Sequence, residues 1–200
     1  MVQIQKILGW LVVVLVASGF AQTSATPNDT EGCTEQDYAI YTAALNDLFG
    51  KQKPDKLVVI DQTSTGVPPG MAATTRFGGK AQELLKSAPQ EAKDDFDTRN
   101  KTRVKIESGR IKAAFELVLL SAESAGKLVE GGDGWAGFRK TYPRSGISLM
   151  SRPGVNADHT KALLYVGTSC DMLCGGGEFI LLGKEGEQWK VLNKVTIWVS

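Results

Sequence analysis

From Gly146 to the C-terminus the chain is written in strands, and this constrains the fold more than any other feature of the sequence. Ile147 to Arg152, Lys161 to Ser169, Glu178 to Gly183 and Gln188 to Val199 are runs separated by turn-like segments containing Gly or Asn, the layout of an antiparallel meander. In the last run Trp189, Val191, Val195, Ile197 and Val199 fall on one face by strict alternation. Lys190, Lys194 and Thr196 take the other, together with Leu192 and Trp198. A sheet with an apolar face requires a cover.

The upstream sequence can supply it. Thr34 followed by Asp37 predicts an N-cap with an acidic first turn, and Tyr38, Tyr41, Leu45 and Leu48 recur at helical spacing before Gly50 and Pro54 end the segment. Lys56 to Ile60 is a β-branched run that predicts a strand. Lys80 to Lys86 and Gln90 to Arg99 predict helices, the second so rich in charge that it reads as a solvated face. Phe115 to Leu120 predicts another strand, and Ser121 opens a helix that stops at Gly131-Gly132. Trp135, Phe138 and Tyr142 then fall at helical spacing. The fold class predicted is α+β: a helix-rich N-terminal part packed on a C-terminal antiparallel meander of four strands or more, with residues 33–200 as a single domain.

Residues 1–21 read as a cleavable signal peptide. Lys6 precedes an apolar stretch from Ile7 to Phe20, and Gly19-Phe20-Ala21 places the cut before Gln22. That stretch is about 14 residues long against the roughly 20 that cross a bilayer as a helix, so no stable membrane anchor is expected after cleavage. Residues 22–32 are polar, contain breakers and read as a flexible linker. The expected destination is the periplasm or the exterior.

Removing the signal takes Lys6 from the 23 Lys+Arg and nothing from the 22 Asp+Glu, leaving 22 against 22. A formally neutral domain without a basic stripe lacks the electrostatic attraction that drives nucleic-acid binding, and no nucleic-acid partner is expected. No cofactor is read from any motif. At 42% hydrophobic and 22% charged, the composition is that of a globular domain.

Ser151-Arg152-x-Gly154, the Tyr165-Val166 strand leading into Cys170-x-x-Leu173-Cys174-Gly175, and Gln188-Trp189-Lys190-Val191 finishing in Trp198-Val199-Ser200 resemble a group of uncharacterised exported bacterial proteins. The resemblance covers residues 115–200, under half of the chain. It implies a bacterial exported domain and carries over no catalytic residue. The Trp-Lys-Val return strand also resembles the nuclear-transport-factor-2-like superfamily, a fold that hosts both enzymes and binding modules.

One local feature could carry chemistry. Cys170 and Cys174 sit four apart at a turn between strands, and outside the cytoplasm such a pair can close a disulfide that staples the hairpin. Pairing of Cys33 with either hairpin cysteine is the other disulfide reading. Redox exchange and copper(I) binding are the alternatives: Cys170, Met172 and Cys174 are soft ligands, and His159, the single histidine, is a further candidate. Gly175-Gly176-Gly177 lacks the following Lys-Ser/Thr and helix of a phosphate cradle. Gly131-Gly132-Asp133-Gly134 offers one carboxylate where a calcium loop needs several. Gly167-Thr168-Ser169-Cys170-Asp171 departs from the nucleophile-elbow pattern at Asp171. Ser124-x-x-Lys127 matches a penicillin-binding motif whose companion boxes are absent. No catalytic residue is assigned. Two functional readings stand: an exported, non-enzymatic domain that binds an unidentified protein or cell-envelope component, and an extracytoplasmic enzyme or redox/metal protein built on the Cys170–Cys174 hairpin.

Overall fold

A computed structural model describes residues 32–52, 54–65, 78–171 and 173–200. The expected signal peptide, residues 22–31 of the expected linker and Met172 lie outside the described residues. Thr34 accepts the amide of Asp37 at 3.2 Å while Asp37 accepts the amide of Thr34 at 2.9 Å, a reciprocal capping box that sets the start of α1 (Glu35–Phe49). The buried positions Tyr38, Tyr41 and Leu45 recur at three and four, so α1 lays one stripe on the sheet.

After α1 the chain runs through β1 (Lys56–Ile60), α2 (Gly78–Ser87), α3 (Gln90–Arg99), β2 (Glu116–Leu120), α4 (Ala122–Glu130) and α5 (Gly134–Thr141). It then forms β3 (Ile147–Met150), β4 (Gly154–Val155), β5 (Lys161–Asp171), β6 (Cys174–Glu185) and β7 (Gln188–Val199). The fold is α+β. All the strands join one sheet in the order β2-β1-β3-β5-β6-β7, with β4 beside β5 in line with β3.

The expected meander is present as β3, β5, β6 and β7, each antiparallel to its neighbour. The N-terminal part, however, is more than a helical cover. β1 runs parallel to β3 and β2 parallel to β1, so the sheet is mixed. Parallel neighbours need a crossover, and the helices between β1, β2 and β3 provide it. The predicted strand from Ile147 to Arg152 is also shorter than expected: Ser151-Arg152-Pro153 interrupts it, and pairing with β5 resumes at Gly154.

Both faces of the sheet are covered. On one, Tyr41, Ala44 and Leu45 of α1 pack against Leu57, Val59, Leu164 and Ile180. On the other, Leu84 of α2 and Phe96 of α3 pack with Leu163, Tyr165, Leu181 and Trp198. This explains why β5 is buried without alternation from Ala162 to Gly167.

The last strand departs from the alternation read in its sequence. β7 carries two bulges: Leu181 and Leu182 pair with Asn193 and Val191, leaving Leu192 extra, and Gly177 and Glu178 pair with Trp198 and Thr196, leaving Ile197 extra. Each inserted residue reverses which face the following side chains take. Trp189 and Val191 therefore pack on the α1 side, whereas Val195, Ile197 and Trp198 pack beneath α2 and α3.

α3 is likewise more than a solvated face. Ala92 and Phe96 are buried, and Gly154 of β4 lies so close that a methyl group there would overlap Ala92 and Phe96. The carboxylates of Asp95 and Glu91 accept the amides of Val155 and Ala157, at 2.8 and 3.0 Å.

Candidate functional site

β5 and β6 are eleven and twelve residues long, and they carry their connecting turn out to one end of the molecule. There the sulfurs of Cys170 and Cys174 lie at bonding distance, with Cα atoms 5.1 Å apart, inside the range a disulfide requires. Arg139 of α5 donates to the Asp171 carboxylate at 2.8 Å and to the Cys170 carbonyl at 3.2 Å, so the hairpin is also held from the side. Leu173 at its tip is 86% exposed. Burying such a side chain is worth about 1.5–3 kcal/mol, and here it stays in water.

Gly175-Gly176-Gly177 serves packing at this end. A Cβ at Gly177 would overlap the Trp198 ring and come within 2.7 Å of the Tyr165 hydroxyl, so the missing side chain lets Trp198 lie across the strand. Its indole N–H donates to Tyr165 Oη at 2.9 Å, which satisfies a buried donor. Behind the hairpin, on the α1 face, a groove of about 410 Å³ opens between Phe49, Thr168, Gly176, Lys194, Thr196 and Val199. Val199 is 53% exposed. The second bulge of β7 places it on that face, so Val199 pairs with Gly176 beside the hairpin.

Of the copper candidates, His159 lies apart from the hairpin cysteines, and Met172 lies outside the described residues. His159 sits at positive φ in the turn before β5, where its ring meets Gln36 Oε1 at 3.1 Å. Cys170 is at the far end of that strand, on the order of 35 Å away at ~3.3 Å per residue. Among the described residues no group of three or more His, Cys, Asp or Glu side chains could hold a metal ion.

The other sequence candidates are engaged locally. Ser124 Oγ meets Ser121 Oγ at the start of α4, and Lys127 pairs with Glu123 at 2.5 Å, both exposed. Asp133 pairs with Lys140. Gly167 to Asp171 is strand, with a bulge between Ser169 and Asp171, rather than the strand-to-helix turn that a nucleophile elbow needs.

Sequence reasoning missed a buried ionic cluster at the opposite end of α1. Asp37 is 1% exposed and its carboxylate accepts two bonds from Arg99, at 2.9 and 2.7 Å. Arg152, 6% exposed, brings a second guanidinium to 4.0 Å from the same carboxylate. Asn100 binds both the amide and the carbonyl of Arg152, and Tyr41 donates to the Ser151 carbonyl at 3.0 Å. The Ser151-Arg152-x-Gly154 motif is thus a structural corner that ties α1, α3 and β5 together. Burial, followed by the nearby Asp37 charge, pushes the Cys33 thiol pKa up, and burial raises that of Tyr41 well above the usual range. The direction is opposite to the lowered pKa of a redox-centre cysteine. The signal available in sequence was Asp37 itself, which the capping box already accounted for.

The chain matches no protein-family model, no curated protein and no solved structure.

Proposed function

We propose that this chain is an exported, non-enzymatic binding domain that engages a protein partner of the cell envelope or exterior through the tip of its disulfide-closed hairpin. Leu173 carries the reading: a large apolar side chain, 86% exposed, is held at the end of a turn closed by Cys170 and Cys174 and braced by Arg139. A turn ordered in advance gives up little conformational entropy on binding. Val199 and the groove behind the hairpin extend the same apolar end. Export agrees with a disulfide-bearing surface hairpin, because such bonds persist in oxidising compartments. Among the described residues no helix is long and apolar enough to cross a membrane.

The test is a photo-reactive amino acid placed at position 173 of the exported chain in its own cells, with position 187 at the opposite β6–β7 turn as the comparison. A discrete protein adduct from 173 and none from 187 is the expected result. No adduct from 173, or identical adducts from both positions, would overturn the reading. Export is checked separately by N-terminal sequencing of the mature chain, which is expected to begin at Gln22.

A further inference from the structure

The two edges of the sheet are built differently. β7 forms one edge, and it carries Lys190, Lys194 and the bulges at Leu192 and Ile197, all features that discourage a further strand from adding. β2 forms the other edge without a bulge or a lysine, and its one charged residue is Glu116 at the start of the strand. Its sequence is Glu-Leu-Val-Leu-Leu, and its register on β1 is unbroken from Lys56 opposite Glu116 to Ile60 opposite Leu120.

Parallel pairing directs alternate residues of β2 toward β1. The Glu116 amide donates to the Asp55 carbonyl at 3.3 Å, and the Leu120 carbonyl accepts the Asp61 amide at 2.8 Å. Glu116, Val118 and Leu120 therefore turn their backbone groups inward, and Leu117 and Leu119 turn theirs away from the sheet. Those two residues present two N–H and two C=O groups with no partner among the described residues. The side chains from Leu117 to Leu120 are all half-buried, as on an open edge.

We propose that β2 pairs antiparallel with β2 of a second copy of this chain, about a twofold axis at Val118. In that register Leu117 of one copy faces Leu119 of the other, and the two exchange both backbone bonds. Symmetry repeats the pair, so all four outward groups of each copy are satisfied. The two Val118 residues meet as the non-hydrogen-bonded pair between them, with Cα atoms about 4.5 Å apart. Any other antiparallel register that opposes outward-facing residues sets Leu117 or Leu119 against a residue outside the strand. Charge agrees with the same register: Glu116 lies opposite Leu120 of the second copy rather than opposite another Glu116, and keeps its ion pair with Lys56 at 3.3 Å. On the α1 face Leu119 lines two openings of about 170 and 450 Å³ beside Glu107 and Ser108, where the second copy's leucines would add apolar cover. The proposal stands independently of the hairpin reading, which uses a different part of the molecule.

Sedimentation equilibrium of the purified mature chain tests it, together with two variants. Leu119→Pro removes an outward N–H that has no partner among the described residues, a place where an edge strand tolerates proline. The expected result is a dimer whose dissociation constant rises at least about tenfold in Leu119→Pro. Val118→Cys is expected to form an interchain disulfide under oxidising conditions, whereas Glu187→Cys is not. A chain that is monomeric at every concentration, a dimer that Leu119→Pro leaves unchanged, or a Val118→Cys chain that fails to cross-link each overturns the proposal. The Val118→Cys result decides the matter if Leu119→Pro does not fold.

Discussion

Arg99 and Asp37, 62 residues apart in the chain, meet as a two-point guanidinium–carboxylate pair in which the carboxylate is 1% exposed. The pair joins the first turn of α1 to the last turn of α3, and it leaves Asp37 dependent on its partners for solvation. Replacing Arg99 by Met is therefore expected to destabilise the domain by about 3–5 kcal/mol, because it strands a buried carboxylate. Replacing Asp37 and Arg99 together by apolar residues is expected to cost less than the single change. Urea unfolding of the three variants checks both statements.

Gly154 and Gly79 predict opposite outcomes for the same substitution. At Gly154 a methyl group would overlap the α3 backbone, and separating helix from strand is expected to cost about 1–3 kcal/mol or more. At Gly79, in α2, nothing lies within 4 Å, and Gly79→Ala is expected to stabilise by about 0.4–1 kcal/mol. Thermal midpoints that move in the same direction for both would contradict the packing of α3 on β4.

The Cys170–Cys174 bond closes a short loop, so its effect on the unfolded chain is small. Reduction is expected to lower stability by about 2 kcal/mol and to leave the domain folded. Thiol titration of the native, unreduced chain is expected to find one slowly reacting thiol, that of Cys33. Two free thiols at positions 170 and 174, with stoichiometric copper bound, would show that the hairpin is a metal site.

Cys33 also predicts a pH dependence. Burial, then the nearby Asp37 charge, raises its pKa in the folded state, so the folded chain holds a proton that the unfolded chain releases at lower pH. Stability from this group is fully present below the ordinary thiol range and is lost as pH rises through the folded-state value. Urea midpoints measured from about pH 7 to about pH 10 are expected to fall, and to fall less steeply in Cys33→Ala.

How much of this was legible in the sequence follows the range of the forces involved. α1 could be read because its cap and its apolar stripe are local, and each of the other helices carried its own period or stop signal. The strands were visible as runs, but their partners were not. Lys56 to Ile60 looks the same whether it joins a sheet as a parallel central strand or stands apart. β7 shows the limit most clearly: its alternation was plain, yet two bulges redistributed Val195, Ile197 and Trp198, because a bulge is set by the register against β6 and leaves no mark on β7 alone.

The candidate sites divide in the same way. Cys170 and Cys174 are four residues apart, so their meeting at a turn needed only local geometry. His159 is eleven residues from Cys170, and a straight strand carries it to the opposite end of the sheet, a separation that residue type and spacing could not reveal before the strand's length was known. The Asp37–Arg99–Arg152 cluster and the open edge of β2 were decided only by tertiary structure. A buried charge is recognised by what surrounds it, and an unpaired edge by which strand stands last. By itself the sequence determined the N-terminal export signal as an expectation, the helices and strands, and the hairpin turn with its two cysteines. Long-range packing decided which strands are neighbours, which faces are covered and which backbone groups are left to bind something else.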